Sequence, residues 1–343
     1  SDTPPFCLDW GGTVLNMALA LNGKYPIITR ARRISEPLVR CISLDSDERA
    51  EYRTTEEIFA PLLPGDSLAI SRVALQLSGV FADGKPLAET LINMGGGIEI
   101  STEVDLPMGS GLGTSSILAV TVIRALAQML GAEITPAELF DQVMRLEQRM
   151  TTGGGWQDQA GGLFPGAKLL TTGPGMRQHI RVQPLEWSPE RRAEFNQRFV
   201  LYFTGIRRIA KNLLTQVVGS YLAREVATVQ VLHSIKTLAN EMAYALREGE
   251  WSYLGELLDR HWELNLIMDP NMSNAPINAL LAEVRPYLTG AKLAGAGGGG
   301  FLLMLARDAN AAVALRQHLA TLGGGGQIYD YELAENGLKV EML

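Results

Sequence analysis

Residues 107–116 read PMGSGLGTSS, with glycines at alternate positions followed by a run of hydroxyls. Gly109, Gly111 and Gly113 let the backbone turn its N–H groups toward a ligand with no Cβ in the way. The apolar run that follows predicts a helix whose positive end faces the same point, which suits an anion and phosphate above all. Thr114, Ser115 and Ser116 place hydroxyls at the helix start, where one can cap the helix and another can ligate Mg²⁺ beside phosphates. The same letters also serve a plain glycine turn with a serine cap, and spacing alone leaves both uses open.

A second cluster, TTGGGWQDQAGG at 151–162, carries Asp158 as its only acid. Glycines on both sides of Trp156 and Gln157 predict a loop able to press an aromatic face and amide groups against a flat-sided polar ligand. Asp158 is equally suited to a structural turn. Glu147 falls four positions after Val143, on or beside the helix face carrying Leu139, Val143 and Leu146, so its carboxylate is expected to be partly sheltered or simply at the surface. The third cluster, GAGGGG, contains the GxGxxG spacing at Gly295, Gly297 and Gly300. A dinucleotide fingerprint must open a helix, whereas FLLML after Gly300 reads as a strand, so this run is expected to be a loop that another segment or a phosphate approaches closely. GxxxxGK[ST] does not occur, which excludes a P-loop NTPase. His261-Trp262-Glu263 has no PCxxC beside it, and HExxH does not occur, so zinc chemistry has no support.

These clusters need elements to hold them. KYPIITRA, PLVRCISL and GGGIEISTEVDLP read as strands, with a helix over SLAISRVALQLSGVF between them. A buried helix is predicted from Thr114 to a stop at Gly131, and the next starts at Thr135-Pro136-Ala137-Glu138, a capping box with proline at the first helical position. A strand over 198–204 precedes helices across 208–268. Then come a strand around KLAGAGGGGFLLML, a helix over AAVALRQHLATL and two short strands closing at VEML. This is an α+β pattern of two layers with a boundary between Gly175 and Pro189.

The chain has 343 residues, 46% hydrophobic and 20% charged, enough to bury a core and far from the composition of a disordered protein. Thirty Lys and Arg against thirty-seven Asp and Glu give a net charge of −7, which offers no basic field for nucleic acid or an anionic membrane. Cys7 and Cys41 cannot build a disulfide framework, the start lacks a signal-peptide pattern, and no apolar run reaches the roughly 20 residues of a membrane span. A cytoplasmic chain is expected.

PMGSGLGTSS resembles the PxxxGLGSSA motif of the GHMP kinases, and KLAGAGGGGF resembles their C-terminal glycine-rich motif, in the same order. SDTPPFCLDWGG at the start and TTGGGWQDQAGGLFPGAKL at 151–169 are similar to the kinase domain of the L-fucokinases, so the likeness spans essentially the whole chain. It implies a GHMP kinase α+β fold, with an N-terminal ATP-binding domain of mixed sheet and helices over 1–180 and a helix-rich C-terminal domain over 181–343. The active site is expected between them.

By the same resemblance, Pro107, Gly109, Ser110, Gly111, Leu112, Gly113, Thr114 and Ser115 would bind ATP, and Ser115 with Glu147 would hold Mg²⁺. Asp158 matches the acid assigned as the base on the substrate hydroxyl, and Arg208 matches a basic catalytic position for which Arg207 and Lys211 compete. Asp2, Gly154, Gly155, Trp156 and Gly297 would bind sugar. Thr114 stands where the family has Ser, and Ser116 where it has Ala. The implied reaction phosphorylates the anomeric hydroxyl of L-fucose; another sugar such as a heptose phosphate or galactose, or a non-catalytic sensor of the same fold, is the alternative. The family's strand and glycine-containing turn before the position of Asp2 are missing, as expected either of a start that is truncated or of a piece of a larger polypeptide such as the bifunctional fucokinases, which carry a nucleotidyltransferase domain.

Overall fold

The computed structural model describes residues 2–63, 65–81, 86–150, 154–206, 213–295 and 297–342. The chain opens on the five-residue helix α1 (Phe6–Trp10), ended by Gly11 at φ 70°. Strands β1 (Thr13–Met17), β2 (Leu19–Leu21), β3 (Ile27–Ile34), β4 (Val39–Ser43) and β5 (Glu48–Tyr52) follow, then helices α2 (Thr55–Phe59), α3 (Ala69–Leu77) and α4 (Leu87–Asn93), and strand β6 (Gly97–Val104). Next come α5 (Thr114–Met129), α6 (Pro136–Arg149) and α7 (Gln157–Leu163), then β7 (Ala167–Thr171), β8 (Arg181–Pro184), α8 (Pro189–Arg198) and β9 (Phe199–Phe203). The remainder comprises α9 (Leu213–Leu222), α10 (Val226–Glu248), α11 (Trp251–Met268), α12 (Ala275–Val284), β10 (Leu288–Leu293), β11 (Phe301–Ala306), α13 (Ala309–Thr321), β12 (Gln327–Tyr329) and β13 (Tyr331–Leu333).

The chain forms two compact units that interleave in sequence. The first holds Ser1–Lys24, Pro107–Leu112 and Pro165–Glu335; the second holds Tyr25–Leu106, Gly113–Phe164 and Asn336–Leu343.

The second unit is built on a four-stranded sheet in the order β3-β6-β4-β5, parallel between β4 and β6 and antiparallel elsewhere. Side chains alternate across a strand, so one cross-strand row, Ala31, Ile100, Cys41 and Ala50, turns inward, and both Ile100 and Cys41 are fully buried. The adjacent row, Arg32, Glu99, Arg40 and Glu51, is joined by ion pairs of 2.6, 3.0 and 3.0 Å. Helix α5 packs against β3 and against α3, α6 and α7. Its Ala119, Val120, Val122, Ile123 and Leu126 are buried, as its nearly all-apolar sequence requires. The capping box of α6 forms as expected: Thr135 Oγ1 accepts from Glu138 N, and the Glu138 carboxylate accepts from Thr135 N at 2.8 Å.

In the first unit, β10-β11-β9-β12 make an antiparallel sheet, beside β1-β7-β8 and the pair β13-β2. Leu302 and Met304 of β11, Val200 of β9, Ile277 of α12 and Leu315 of α13 lie in one fully buried core. Helix α11 lies on β10 and packs against α10. Gly255 and Gly290 permit this, because a Cβ on Gly290 would run into the Gly255 carbonyl.

Three expectations are corrected. The glycine-rich segment at 151–162 is not loop throughout, because Gln157–Leu163 forms α7 with Asp158 in its first turn, where the helix dipole favours an acid. The KLAGAGGGGFLLML stretch is two strands, β10 and β11, with the glycine run between them. The closing strands are β12 and β13, not VEML; Val340 and Met342 are 42% and 77% exposed, so the alternation there has no buried face.

Candidate active site

In the first unit, Gly109 and Gly111 take φ 77° and 78°, left-handed values that an L side chain resists. Ser110 N donates to Pro107 O at 3.1 Å and Leu112 N to Ser110 Oγ at 3.3 Å, so the turn is tightened from within. The C-terminal glycine run lies against it. Phe301 N donates to Ser110 O at 2.9 Å, a Cβ on Gly300 would collide with that same carbonyl, and one on Gly111 would lie 2.9 Å from Ala294 O. The close approach expected of GAGGGG is therefore made by the phosphate-type loop itself.

Other residues pin the glycine run, and sequence reading missed them. Gly298 N donates to Met272 O at 2.6 Å, Asn274 Nδ2 to Gly298 O at 3.2 Å, and Gly300 N to Ile206 O at 3.0 Å. Thr204 donates to Gly300 O from both its N, at 3.0 Å, and its Oγ1, at 2.9 Å. Gly297, at φ 78°, sits where a Cβ would strike Met272 O. Asn274 had a readable signal, since Asn before Ala-Pro marks a helix cap, and it does cap α12 by accepting from Ile277 N at 3.0 Å. Thr204 and Met272 offered none.

The second unit carries the rest of the motif. Gly113, at φ 72°, is itself the N-cap of α5, so the cap position carries no hydroxyl and makes no side-chain cap bond. A Cβ on Gly113 would lie 2.5 Å from both Cβ and Cγ of Asp158, which brings the head of α5 against the first turn of α7. Gly162 lets α7 lie close to α5, since a Cβ there would stand 2.7 Å from Ile117 Cγ1. Thr114 is partly buried and Ser115 is exposed at the start of α5. Glu147 of α6 is only 9% exposed, and a Cβ on Gly154 would be 3.6 Å from its Oε2, so this carboxylate faces the 154–158 segment.

Trp156 departs from expectation. Its ring is fully buried at the start of α7 and turns no face to solvent, and its Nε1 has no hydrogen-bond partner among the described residues. Gly155 O accepts from Gln159 Nε2 at 3.1 Å, which fixes the backbone ahead of Asp158.

Asp2 lies in the first unit and is 7% exposed. Burial pushes the neighbouring Cys7 thiol up to about 12, and the Asp2 carboxylate adds to that shift. Arg208, with its rivals Arg207 and Lys211, lies outside the described residues, as do Thr151, Thr152 and Gly153.

As a donor set for a divalent cation, Ser115 and Glu147 supply a hydroxyl and a carboxylate on adjacent packed helices, both hard oxygen ligands. Mg²⁺ is bound through one or two carboxylates together with substrate phosphates, so the pair fits Mg²⁺ as a shared ligand set with nucleotide and would not make a closed metal cage.

Two family models match the chain: GHMP kinases N terminal domain at residues 77–166, and GHMP kinases C terminal at 242–323. The D-glycero-alpha-D-manno-heptose 7-phosphate kinase of Campylobacter jejuni is 30% identical over 246 residues, 70% of this chain and 69% of that protein. The chain is a GHMP kinase.

This GHMP kinase is also 38% identical over 93% of its length to the bifunctional fucokinase/GDP-fucose pyrophosphorylase of Arabidopsis thaliana. It is 36% identical over 93% to the L-fucokinase/L-fucose-1-P guanylyltransferase of Bacteroides fragilis. It spans about a third of the length of these two relatives, 30% and 34%. A D-glycero-D-manno-heptose 1-phosphate kinase structure from Bacteriodes thetaiotaomicron superposes with TM-score 0.73 at 19% identity, covering 100% of this chain and 95% of that one, a likeness of fold. The α+β GHMP kinase fold expected from the motifs is the one observed. Family membership implies ATP as phosphoryl donor. No helix among the described residues is long and apolar enough to cross a membrane.

Proposed function

We propose that this GHMP kinase transfers the γ-phosphoryl group of ATP to the anomeric hydroxyl of L-fucose, giving fucose 1-phosphate and ADP. The observation that carries the sugar is the 36–38% identity over 93% of the chain to two proteins named as fucokinases, one of them also named for L-fucose-1-P. The contact between Gly113 and Asp158 supports the chemistry, since it couples the end of a phosphate-type loop to an acid.

In this reading the backbone N–H groups of Gly109–Ser115 hold the ATP phosphates, with Pro107 shaping the turn. Ser115 and Glu147 hold Mg²⁺, which when bound neutralises phosphate charge. Asp2, Gly154, Gly155 and Gly297 border the sugar, while buried Trp156 acts by anchoring the Gly154–Asp158 segment. Arg208 balances negative charge. Phosphoryl transfer passes through a loose transition state, so positioning and charge stabilisation carry most of the rate. The sugar oxygen bonds to the γ-phosphorus as the bond to the ADP oxygen breaks, and the hydroxyl proton goes to Asp158 late, once bonding to phosphorus has made it acidic. A carboxylate is a weak base toward a free alcohol, so orienting the hydroxyl is at least as large a part of the Asp158 role as taking its proton.

The division into an ATP-binding part at 1–180 and a C-terminal part at 181–343, a cytoplasmic setting and a nucleotidyltransferase domain on the native polypeptide belong to the same reading. Phosphorus-31 and proton NMR of the product from ATP and L-fucose tests it: the reading requires phosphorus coupled to the anomeric proton, and phosphate on any other carbon contradicts it.

A further inference from the structure

The Tyr221 hydroxyl joins two distant parts of the first unit. It donates to Asp9 Oδ2 at 2.7 Å and accepts from Trp10 Nε1 at 3.1 Å and Arg224 Nη1 at 3.2 Å. A phenol has one donor and two lone pairs, so every hydrogen-bonding position of this oxygen is used. Arg224 Nη2 closes the ring on Asp9 Oδ2 at 3.3 Å, and its guanidinium lies 5.1 Å from the Tyr221 ring centroid. Asp9 and Trp10 are the last two residues of α1, whereas Tyr221 is on α9.

The same side of α1 makes further contacts. Phe6 meets Tyr221 and His233 edge-on at 5.8 and 4.9 Å, Trp10 meets His233 at 5.0 Å, and Lys236 Nζ donates to Trp10 O at 2.6 Å. Tyr221 and Phe6 are 1% and 0% exposed, whereas Trp10 is half-exposed and the Arg224–Asp9 pair lies at the surface, so the clamp roots a surface ion pair on a buried ring and its anchoring rests on the Tyr221 hydroxyl. Burial, and then the bond to Asp9, raise the Tyr221 pKa, which keeps the hydroxyl a donor.

Helix α1 follows Asp2 after only Thr3, Pro4 and Pro5, and Cys7 N donates to Thr3 O at 3.1 Å, tying the lead segment to the helix. A displacement of α1 is therefore passed to Asp2. We propose that Tyr221 is a positioning residue: its hydroxyl, with Asp9 and Arg224, fixes α1 and thereby holds Asp2 for the sugar, setting sugar affinity with no contact to the substrate. This rests on the assignment of Asp2 as a sugar-binding acid.

Tyr221→Phe keeps the ring that packs on Phe6 and removes only the hydroxyl. Steady-state kinetics with L-fucose and ATP, combined with hydrogen exchange of residues 2–10, tests the proposal. Expected are a KM for fucose raised about tenfold, kcat and the KM for ATP within about twofold, and faster exchange over 2–10. Asp9→Asn should produce the same split, and the double variant should be little worse than either single one. Unchanged exchange overturns the anchor. Faster exchange with unchanged KM for fucose overturns the link to Asp2, and a joint fall in kcat, both affinities and melting temperature reduces the hydroxyl to general stability and overturns the proposal. If the unsubstituted protein phosphorylates a different sugar, the fucose reading fails and the comparison is run with that sugar. If it phosphorylates none, exchange over 2–10 alone decides whether Tyr221 is the anchor, and the assignment of Asp2 falls with the sugar kinase reading.

Discussion

Gly113 and Asp158 touch: a methyl group placed on Gly113 would lie 2.5 Å from both Cβ and Cγ of the acid. The left-handed residue that starts α5 and the acid in the first turn of α7 therefore fix each other's position, and neither can change size without moving the other.

Gly113→Ala should be penalised twice, by φ 72° and by the collision. The strained backbone costs about 1–3 kcal/mol. Chemical denaturation should register that loss, and kinetics should show kcat reduced by at least about tenfold as Asp158 is pushed aside. A variant of normal turnover and stability would remove the contact from the account.

Asp158→Asn preserves shape and removes the charge. Turnover should fall by about 10²–10⁴ while ATP affinity, measured by calorimetry, stays within about twofold. Loss of ATP affinity equal to the loss in turnover would assign Asp158 to nucleotide binding.

Thr135→Ala removes the side-chain cap of α6, the helix that carries Glu147. A loss of about 0.5–2 kcal/mol in unfolding free energy is expected. Kinetic constants should barely move, since the cap lies at the opposite end of the helix from Glu147. A large rise in the KM for ATP would show instead that the whole helix shifts.

Lys168 on β7 is fully buried, and burial pushes its pKa down to about 7. Its folded value lies below its unfolded value, so between about pH 7 and 9 the unfolded chain binds more protons than the folded one, and stability should rise with pH by up to about 1.4 kcal/mol per unit. Urea denaturation at several pH values checks this. Lys168→Met should flatten the slope, and an identical slope in the variant would assign it to other groups.

What the sequence made legible was mostly local. Thr135, Pro136 and Glu138 announce a helix start within four letters, and the structure forms that cap. The glycines of 107–113 are readable because left-handed backbone leaves its mark on residue type, and Gly109, Gly111 and Gly113 all take positive φ. Contacts between distant segments are not written that way. Nothing near Ser110 indicates that its carbonyl receives Phe301 N, and nothing near Gly113 indicates Asp158. Helix α7 was hidden because the glycines around it discourage helix, while the packing of Gly162 on Ile117 and the burial of Trp156 favour it. Resemblance to a family reached further than propensity, because it carries long-range information in the order of its motifs.

The central claim is tested most directly by a coupled ADP-release assay with MgATP against L-fucose, D-galactose, D-arabinose, mannose and a heptose phosphate. The account predicts release that depends on sugar and is fastest, per unit concentration, with L-fucose. Faster release with a heptose phosphate or galactose would keep the kinase and contradict the substrate, and sugar-independent release with MgATP bound would contradict the assignment as a sugar kinase.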